Sequence, residues 1–243
     1  MSGIQMMVAN NVQQAVTTPS IVTLNLQLYL NAADPASYPG SGTTWTDLSP
    51  NAYATTLVGS PTYSTTYFNF PNTTARYVDT NQSLAYEEFS VGAWFRTSAA
   101  GVKMVLSKET TTGWPWNYRI WLNGGTIIGD VALTGGTNQS ISSPLTTYNN
   151  NSWYYVMFTR DTLAWYLYVN GSQVAVVLNS LGGSIVNAQE LWIGRSAFTA
   201  GGSSPSGSYQ WVGDIGQVFV YDRALAGYEV LQNYNATKAT YGL

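Results

Sequence analysis

From Leu24 onward the chain alternates with a period of two. Leu24, Leu26, Leu28 and Leu30 are separated by Asn25, Gln27, Tyr29 and Asn31, the pattern of a strand buried on one face. Further strand-like runs lie at 67–70, 76–79, 89–97, 102–107 and 118–122, then at 126–133, 153–160, 163–169, 173–178, 191–194 and 211–221. Turn signals separate them: Asn123-Gly124-Gly125, Gly135-Gly136, Asn170-Gly171 and Gly182-Gly183. Asn170-Gly171 stands between two runs at the spacing of a tight hairpin. Such a succession of short strands and glycine turns predicts an all-β protein, a two-sheet antiparallel jelly-roll sandwich. Helical spacing is expected at 225–237, with Leu225, Tyr228, Val230 and Leu231 on one side, as a short C-terminal helix. No linker or composition break divides 24–243, so these residues read as one domain.

Residues 1–23 differ. Ile4, Met7, Val8, Val12, Ala15 and Val16 recur at helical spacing until Pro19 stops the pattern. The stretch is too short and too rich in Asn and Gln for a stable lone helix. It reads either as a loose leader or as an N-terminal arm that orders against a partner or neighbouring subunit. In the second case Ile4, Met7, Val8, Val12 and Val16 are its attachment residues. With no Lys or Arg it does not match a signal peptide, and no apolar run approaches the roughly 18 residues that cross a bilayer.

Some runs are apolar on both faces. Trp153, Tyr155 and Met157 oppose Tyr154, Val156 and Phe158, while Trp165 and Leu167 oppose Tyr166 and Tyr168. A sandwich strand needs one apolar face, so loops, a partner subunit or a ligand must cover the second.

Composition narrows the chemistry. The 243 residues include nine Lys+Arg and twelve Asp+Glu, for a net charge of −3, and no His or Cys. Without His there is no Ser-His-Asp triad and no imidazole base. Without Cys there is no thiolate nucleophile and no disulfide framework. The charge excludes a nucleic-acid binder running on basic patches. Charged residues make up 9% of the chain, so amides and hydroxyls carry its surface polarity. Acidic residues are scattered; Glu87 and Glu88 are adjacent, but neighbours on a strand point to opposite faces. No pair suited to cleaving a glycosidic bond is legible, and the expectation is that the protein is not an enzyme.

Two sites invite binding chemistry. The segment Gly113-Trp114-Pro115-Trp116-Asn117-Tyr118 sets rigid aromatic faces beside an amide, which suits sugar rings. Trp114, Trp116, Asn117 and Tyr118, with Asp130, are therefore candidate carbohydrate-binding residues; the alternatives are a satellite core at the sandwich end or a subunit contact. Because Pro lacks an amide donor, this segment is expected to be a loop rather than a central strand. Calcium is a candidate ion, with Asp34 and Asp47 near turns as its candidate ligands, though no EF-hand spacing occurs.

Taken together, several segments resemble a known family. The opening 28–49, from Leu28-Tyr29-Leu30-Asn31 to Trp45-Thr46-Asp47-Leu48-Ser49, is similar to laminin G-like domains of the concanavalin A-like lectin/glucanase superfamily. So are Phe89-Ser90-Val91-Gly92-Ala93-Trp94-Phe95-Arg96, the hairpin around Asn170-Gly171, Glu190-Leu191-Trp192-Ile193-Gly194-Arg195, and the closing run from Gly213-Asp214-Ile215-Gly216 to Arg223-Ala224-Leu225. The likeness runs in order through 24–243. Its opening and its ending, 231–243, further resemble structural proteins of marine bacteriophages and large viruses.

That resemblance implies a virion-surface protein: a capsid decoration, head fibre or tail-fibre head that displays the sandwich for attachment to host-surface glycans. It implies other virion proteins as partners and a homo-oligomer, a trimer, outside the cell; the charge and hydropathy readings above add no nucleic acid and no membrane insertion. A free secreted carbohydrate-binding module or lectin is the alternative, and a glycan-cleaving enzyme a third. Three departures stand out. The family enzymes' glutamate-aspartate-glutamate strand has no match here; Gly216 occupies the place where many relatives carry an Asp that helps bind calcium; and Ala226 replaces the usual Ser at the start of the last helix.

Overall fold

The computed structural model describes residues 19–72, 76–109, 116–133, 137–196 and 209–243. In chain order the strands are β1 (Leu26–Asn31), β2 (Thr44–Thr46), β3 (Ala54–Val58), β4 (Thr62–Ser64), β5 (Tyr67–Phe70), β6 (Tyr77–Asp79), β7 (Phe89–Arg96) and β8 (Val102–Glu109). They continue as β9 (Trp116–Asn123), β10 (Thr126–Ala132), β11 (Asn138–Ser142), β12 (Tyr154–Arg160), β13 (Ala164–Val169), β14 (Ser172–Leu178), β15 (Trp192–Ile193) and β16 (Gly213–Tyr221). Helix α1 (Gly227–Thr237) follows and runs into a 3₁₀ turn, Lys238–Tyr241.

The strands form two antiparallel eight-stranded sheets. Sheet A has the order β14-β13-β12-β7-β16-β5-β4, with β1 also on β16; sheet B has the order β11-β10-β9-β8-β15-β6-β3-β2. The inner faces meet in one core that includes Trp45, Phe68, Phe89, Tyr118, Phe158, Trp165 and Trp211. The jelly-roll sandwich expected from the alternation is therefore the observed fold. The short strands β2, β3, β4 and β11 carry too few apolar residues to stand out in the sequence. β9 corrects one expectation: the strand begins at Trp116 and runs through the middle of sheet B, so 116–118 are strand rather than loop.

The second apolar face belongs to sheet A, and the chain covers it itself. Trp94, Tyr155, Met157, Tyr168, Phe219 and Tyr221 form a second buried cluster with Val22, Leu225, Val230 and Tyr241. Trp94 stacks on Tyr241 with ring centroids 4.4 Å apart, and its Nε1 donates to Thr237 Oγ1 at 2.8 Å. Cover by the C-terminal segment removes the need for a subunit there, and with it the physical argument for a trimer.

Helix α1 buries Val230, Asn233 and Thr237, while Tyr228 and Leu231 face water. The expected apolar side thus gives way to a stripe that includes two polar residues. Asn233 explains the choice: its Oδ1 accepts the Val22 N–H at 2.7 Å and its Nδ2 donates to Tyr221 Oη at 3.0 Å. Tyr221 Oη in turn donates to the Val22 carbonyl at 2.9 Å, so the end of the 1–23 segment is fixed onto α1. Residues Ile4, Met7, Val8, Val12 and Val16 lie outside the described residues.

At the helix start Ala226 gives no side-chain cap. Glu229 substitutes by accepting the Ala226 N–H at 2.9 Å, and Arg223 holds its carboxylate bidentately at 2.6 and 2.8 Å. The Arg223 hydrogen bonds, against the opposing effect of burial, keep the Glu229 carboxyl below its ordinary range.

Gly216 is explained by contact. It lies at a bulge in the β16–β7 register, and a Cβ there would stand 2.2 Å from Tyr241 Oη. The ring that seals sheet A occupies the place of a side chain. Gly216→Ala should therefore cost about 1–3 kcal/mol, whereas Gly182→Ala, with open space at its Cβ, should stay within about 0.5 kcal/mol. Urea denaturation of both variants checks this, and equal effects would contradict it.

Glu229 supplies a pH test. A lowered folded-state pKa contributes stability above the unfolded carboxyl value of about 4.3 and loses it as pH falls through the folded value. Glu229→Gln should therefore melt earlier than wild type at neutral pH, with the deficit closing in acid; a deficit constant down to the acid limit would remove this role.

Candidate functional site

The outer face of sheet B is built by alternation and register. Asp130 pairs with Arg119, Arg119 with Ser107, and Ser107 with Trp192. Trp192 pairs with Asp79, Asp79 with Thr56, and Thr56 with Thr44. Residues directly opposite across neighbouring strands share a face. Their chain neighbours Ile120, Val131, Leu106, Ile193, Val78, Leu57 and Trp45 all lie in the core, so this row points outward. It crosses the sheet as a band of polar and aromatic side chains, with Trp121 and Ile128 paired beside it.

One end of the band is a closed ionic network. The Arg119 guanidinium donates to both oxygens of Asp130, at 2.8 and 2.6 Å, and to Glu109 at 3.1 Å. The Trp116 ring lies against it, 3.7 Å from ring centre to Cζ, a cation–π contact. Trp121 Nε1 adds a bond to Asp130 at 3.2 Å. Burial works to lower the Arg119 pKa, but the bond and charge of Asp130, with Glu109, hold it above its ordinary range. Glu109 also accepts from Ser196 Oγ, which ties the network to the residue after Arg195.

Beside it is a more open cluster. Tyr77 and Asp79 share a face of β6 at i and i+2, and Glu190 and Trp192 repeat that spacing around β15. The Trp192–Asp79 pairing sets the two pairs side by side. Arg195 Cζ stands 4.1 Å over the Tyr77 ring and 4.4 Å over the Trp192 ring, and Ser107 Oγ donates to the Arg195 carbonyl at 2.9 Å. Burial lowers the Arg195 pKa against the pull of Tyr77 and Asp79. Glu190 is raised, by burial first and then by the charge and hydrogen bond of Asp79. Asp79 and Glu190 thus stand near each other on this face.

Lys108 braces this cluster from behind. Its side chain is fully buried, and Nζ donates to the Asn187 carbonyl at 2.8 Å, Asn187 Oδ1 at 2.9 Å, Ser83 Oγ at 3.1 Å and the Gln189 carbonyl. Burial pulls its pKa down to about 7, while the carbonyl acceptors favour the protonated form. The clamp fixes residues 187–189, the segment immediately before Glu190.

The expected sugar platform falls differently. Asn117 is fully buried and donates to the Tyr86 carbonyl at 3.3 Å; Tyr118 is a core residue whose Oη donates to the Leu84 carbonyl at 2.8 Å. Trp116 and Asp130 are buried in the Arg119 network. None of the four offers an exposed face: β9 buries Asn117 and Tyr118, and the Arg119 network covers Trp116 and Asp130. Trp114 lies outside the described residues. The cluster of Tyr77, Asp79, Glu190, Trp192 and Arg195 was not legible as a site, although the 190–195 run stood out.

The calcium candidates also resolve into structure. Asp47 accepts the Tyr29 N–H at 2.7 Å, the Ser49 N–H at 2.8 Å and hydroxyl at 2.6 Å, and the Tyr53 N–H at 3.3 Å. These donors take up the lone pairs that an ion would use. Asp34 accepts the Ala36 N–H in a tight turn at 2.9 Å. Among the described residues no group of three or more acidic side chains is placed to hold a metal.

The fold and site can be set beside known proteins. A family profile described as the concanavalin A-like lectin/glucanases superfamily matches residues 70–231, and the chain belongs to that superfamily. No curated protein matches it. Among solved structures, one of botulinum neurotoxin type C, described as depending on two ganglioside molecules to enter cells, aligns with a TM-score of 0.65 at 15% identity over 88% of this chain and 52% of that one. The binding domain of Paraclostridial Mosquitocidal Protein 1 aligns with a TM-score of 0.63 at 17% identity, over 88% and 52% of the two chains. The CBM40 of a Ruminococcus gnavus sialidase bound to α2,3-sialyllactose aligns with a TM-score of 0.57 at 15% identity, over 68% and 94%. The chain spans about half the length of the toxin chains.

The network makes a stability prediction. Arg119→Ala leaves Asp130 and Glu109 buried without their cation and should cost about 3–5 kcal/mol. Trp192→Ala, half-buried at the surface, should cost under about 2 kcal/mol. Chemical denaturation separates the two, and an Arg119→Ala variant as stable as wild type would refute the account of this network.

Proposed function

We propose that the protein is a glycan-binding sandwich whose site is the outer face of sheet B. The observation that carries this reading is the band of aromatic and carboxylate side chains, Tyr77, Asp79, Trp121, Glu190 and Trp192, on the outer sheet face. Rings such as Trp192 and Trp121 supply flat apolar surfaces for sugar C–H edges, and carboxylates beside them accept bonds from hydroxyls. The gangliosides and sialyllactose bound by similar structures support a glycan as the ligand class.

On this reading the domain binds rather than cleaves. It sits on a virion surface, as a capsid decoration or fibre head, beside other virion proteins, and attaches the particle to host glycans. The support for that setting is the resemblance of the opening and closing segments to viral structural proteins. Display in several copies suits a shallow site, since arraying weak contacts raises avidity by about 10²–10⁴ when geometry permits.

Glycan-array binding followed by calorimetry on Trp192→Ala and Trp121→Ala tests the proposal. Both variants should lose binding by about tenfold or more while remaining folded. Full binding by the folded double variant would refute it, and new reducing ends released from a bound polysaccharide would replace binding with cleavage.

A further inference from the structure

The charge balance of the outer face goes further than the ligand class. Two guanidiniums, Arg119 and Arg195, face four carboxylates, Asp130, Glu109, Asp79 and Glu190. Arg119 is fully engaged by Asp130 and Glu109. Arg195 is 9% exposed and held between two aromatic rings. Arg119 therefore has no free fork for an incoming carboxylate, which binds best to a bidentate guanidinium, and Arg195 is largely covered. The whole chain is acidic, with a net charge of −3.

Resting on the glycan-binding reading, we infer that Tyr77, Asp79, Glu190, Trp192 and Arg195 form its primary subsite, and that this subsite selects a neutral, hydroxyl-rich sugar over a sialylated one. The half-buried Trp192 and Tyr77 rings, 5.7 Å apart and tilted by 44°, form the stacking surface. Asp79 and Glu190 stand at its edge, where carboxyl oxygens accept hydroxyl protons. A sugar carboxylate brought to this edge meets like charge, whereas a neutral ring does not. The ligand class thus departs from the sialylated ligands of similar structures through this chain's own side chains.

The test compares lactose, maltotriose and mannotriose with 3′-sialyllactose by calorimetry and ligand-observed NMR on the full chain. At least one neutral probe should bind, and Trp192→Ala should weaken it about tenfold or more. Sialyllactose should bind at least about threefold more weakly than lactose at low salt, with the gap closing near 1 M salt, where the screening length is about 3 Å. The surface variant Asp79→Asn/Glu190→Gln should also close the gap while keeping its melting temperature. Tighter binding of sialyllactose than of lactose would overturn the selectivity and leave the glycan-binding face standing. Neutral binding that survives Trp192→Ala but not Trp121→Ala would overturn the subsite alone. No binding by any probe would overturn both readings.

Discussion

The sandwich is organised by one constraint: sheet A is apolar on both faces, and an apolar face of that size cannot be left in water. The inner face meets sheet B. The outer face, with Trp94, Tyr155, Met157, Phe219 and Tyr221, must find a second cover, and helix α1 with the 3₁₀ turn supplies it, together with Val22 and Leu225. Removing one such ring costs about 3–5 kcal/mol in a well-packed core, so the two clusters are mutually necessary. Much of the local chemistry follows. Gly216 has no side chain because Tyr241 closes the face there; Asn233 and Thr237 are buried because backbone and indole N–H groups under the helix need acceptors.

Sheet B answers to the opposite rule. Its outer face alternates with the core in register and carries polar and aromatic side chains that tolerate water. On the proposed reading, stability and recognition are divided along this band. The Arg119 network is buried and closed, so its charges fix strands β8, β9 and β10 together and fix Trp116 and Trp121 over them. The neighbouring cluster around Trp192 is more open, and its groups retain exposed atoms. Lys108 adds a third contribution, holding the segment before Glu190 through carbonyl acceptors rather than through an ion pair.

The fold was largely legible because alternation, Asn-Gly and Gly-Gly turns and doubly apolar runs each report a local physical requirement. The alternation marks β5 to its exact ends, and β7, β12 and β16 within two residues. What escaped was short or polar: β2 and β11 are strands by pairing, not by apolar content. The site was less legible, for two reasons. Trp116, Asn117 and Tyr118 looked exposed because Pro115 suggested a loop, yet the strand starts directly after it. Tyr77, Asp79, Glu190 and Trp192 are more than a hundred residues apart in two i, i+2 pairs, and only the β6–β15 pairing brings them together. Glu87 and Glu88 are adjacent in the sequence, whereas the carboxylates brought together in space, Asp130 with Glu109 and Asp79 with Glu190, are far apart along the chain.

The central claim is that ligands meet the outer face of sheet B while sheet A is sealed by the chain itself. The most direct measurement is a titration of a glycan found to bind, followed through the nine tryptophan indole N–H signals by NMR. The account predicts that the Trp192 and Trp121 signals move, while those of Trp45, Trp94, Trp165 and Trp211, buried in the two clusters, stay in place. Movement confined to Trp94 or Trp153, on the helix-covered side of sheet A, would contradict it.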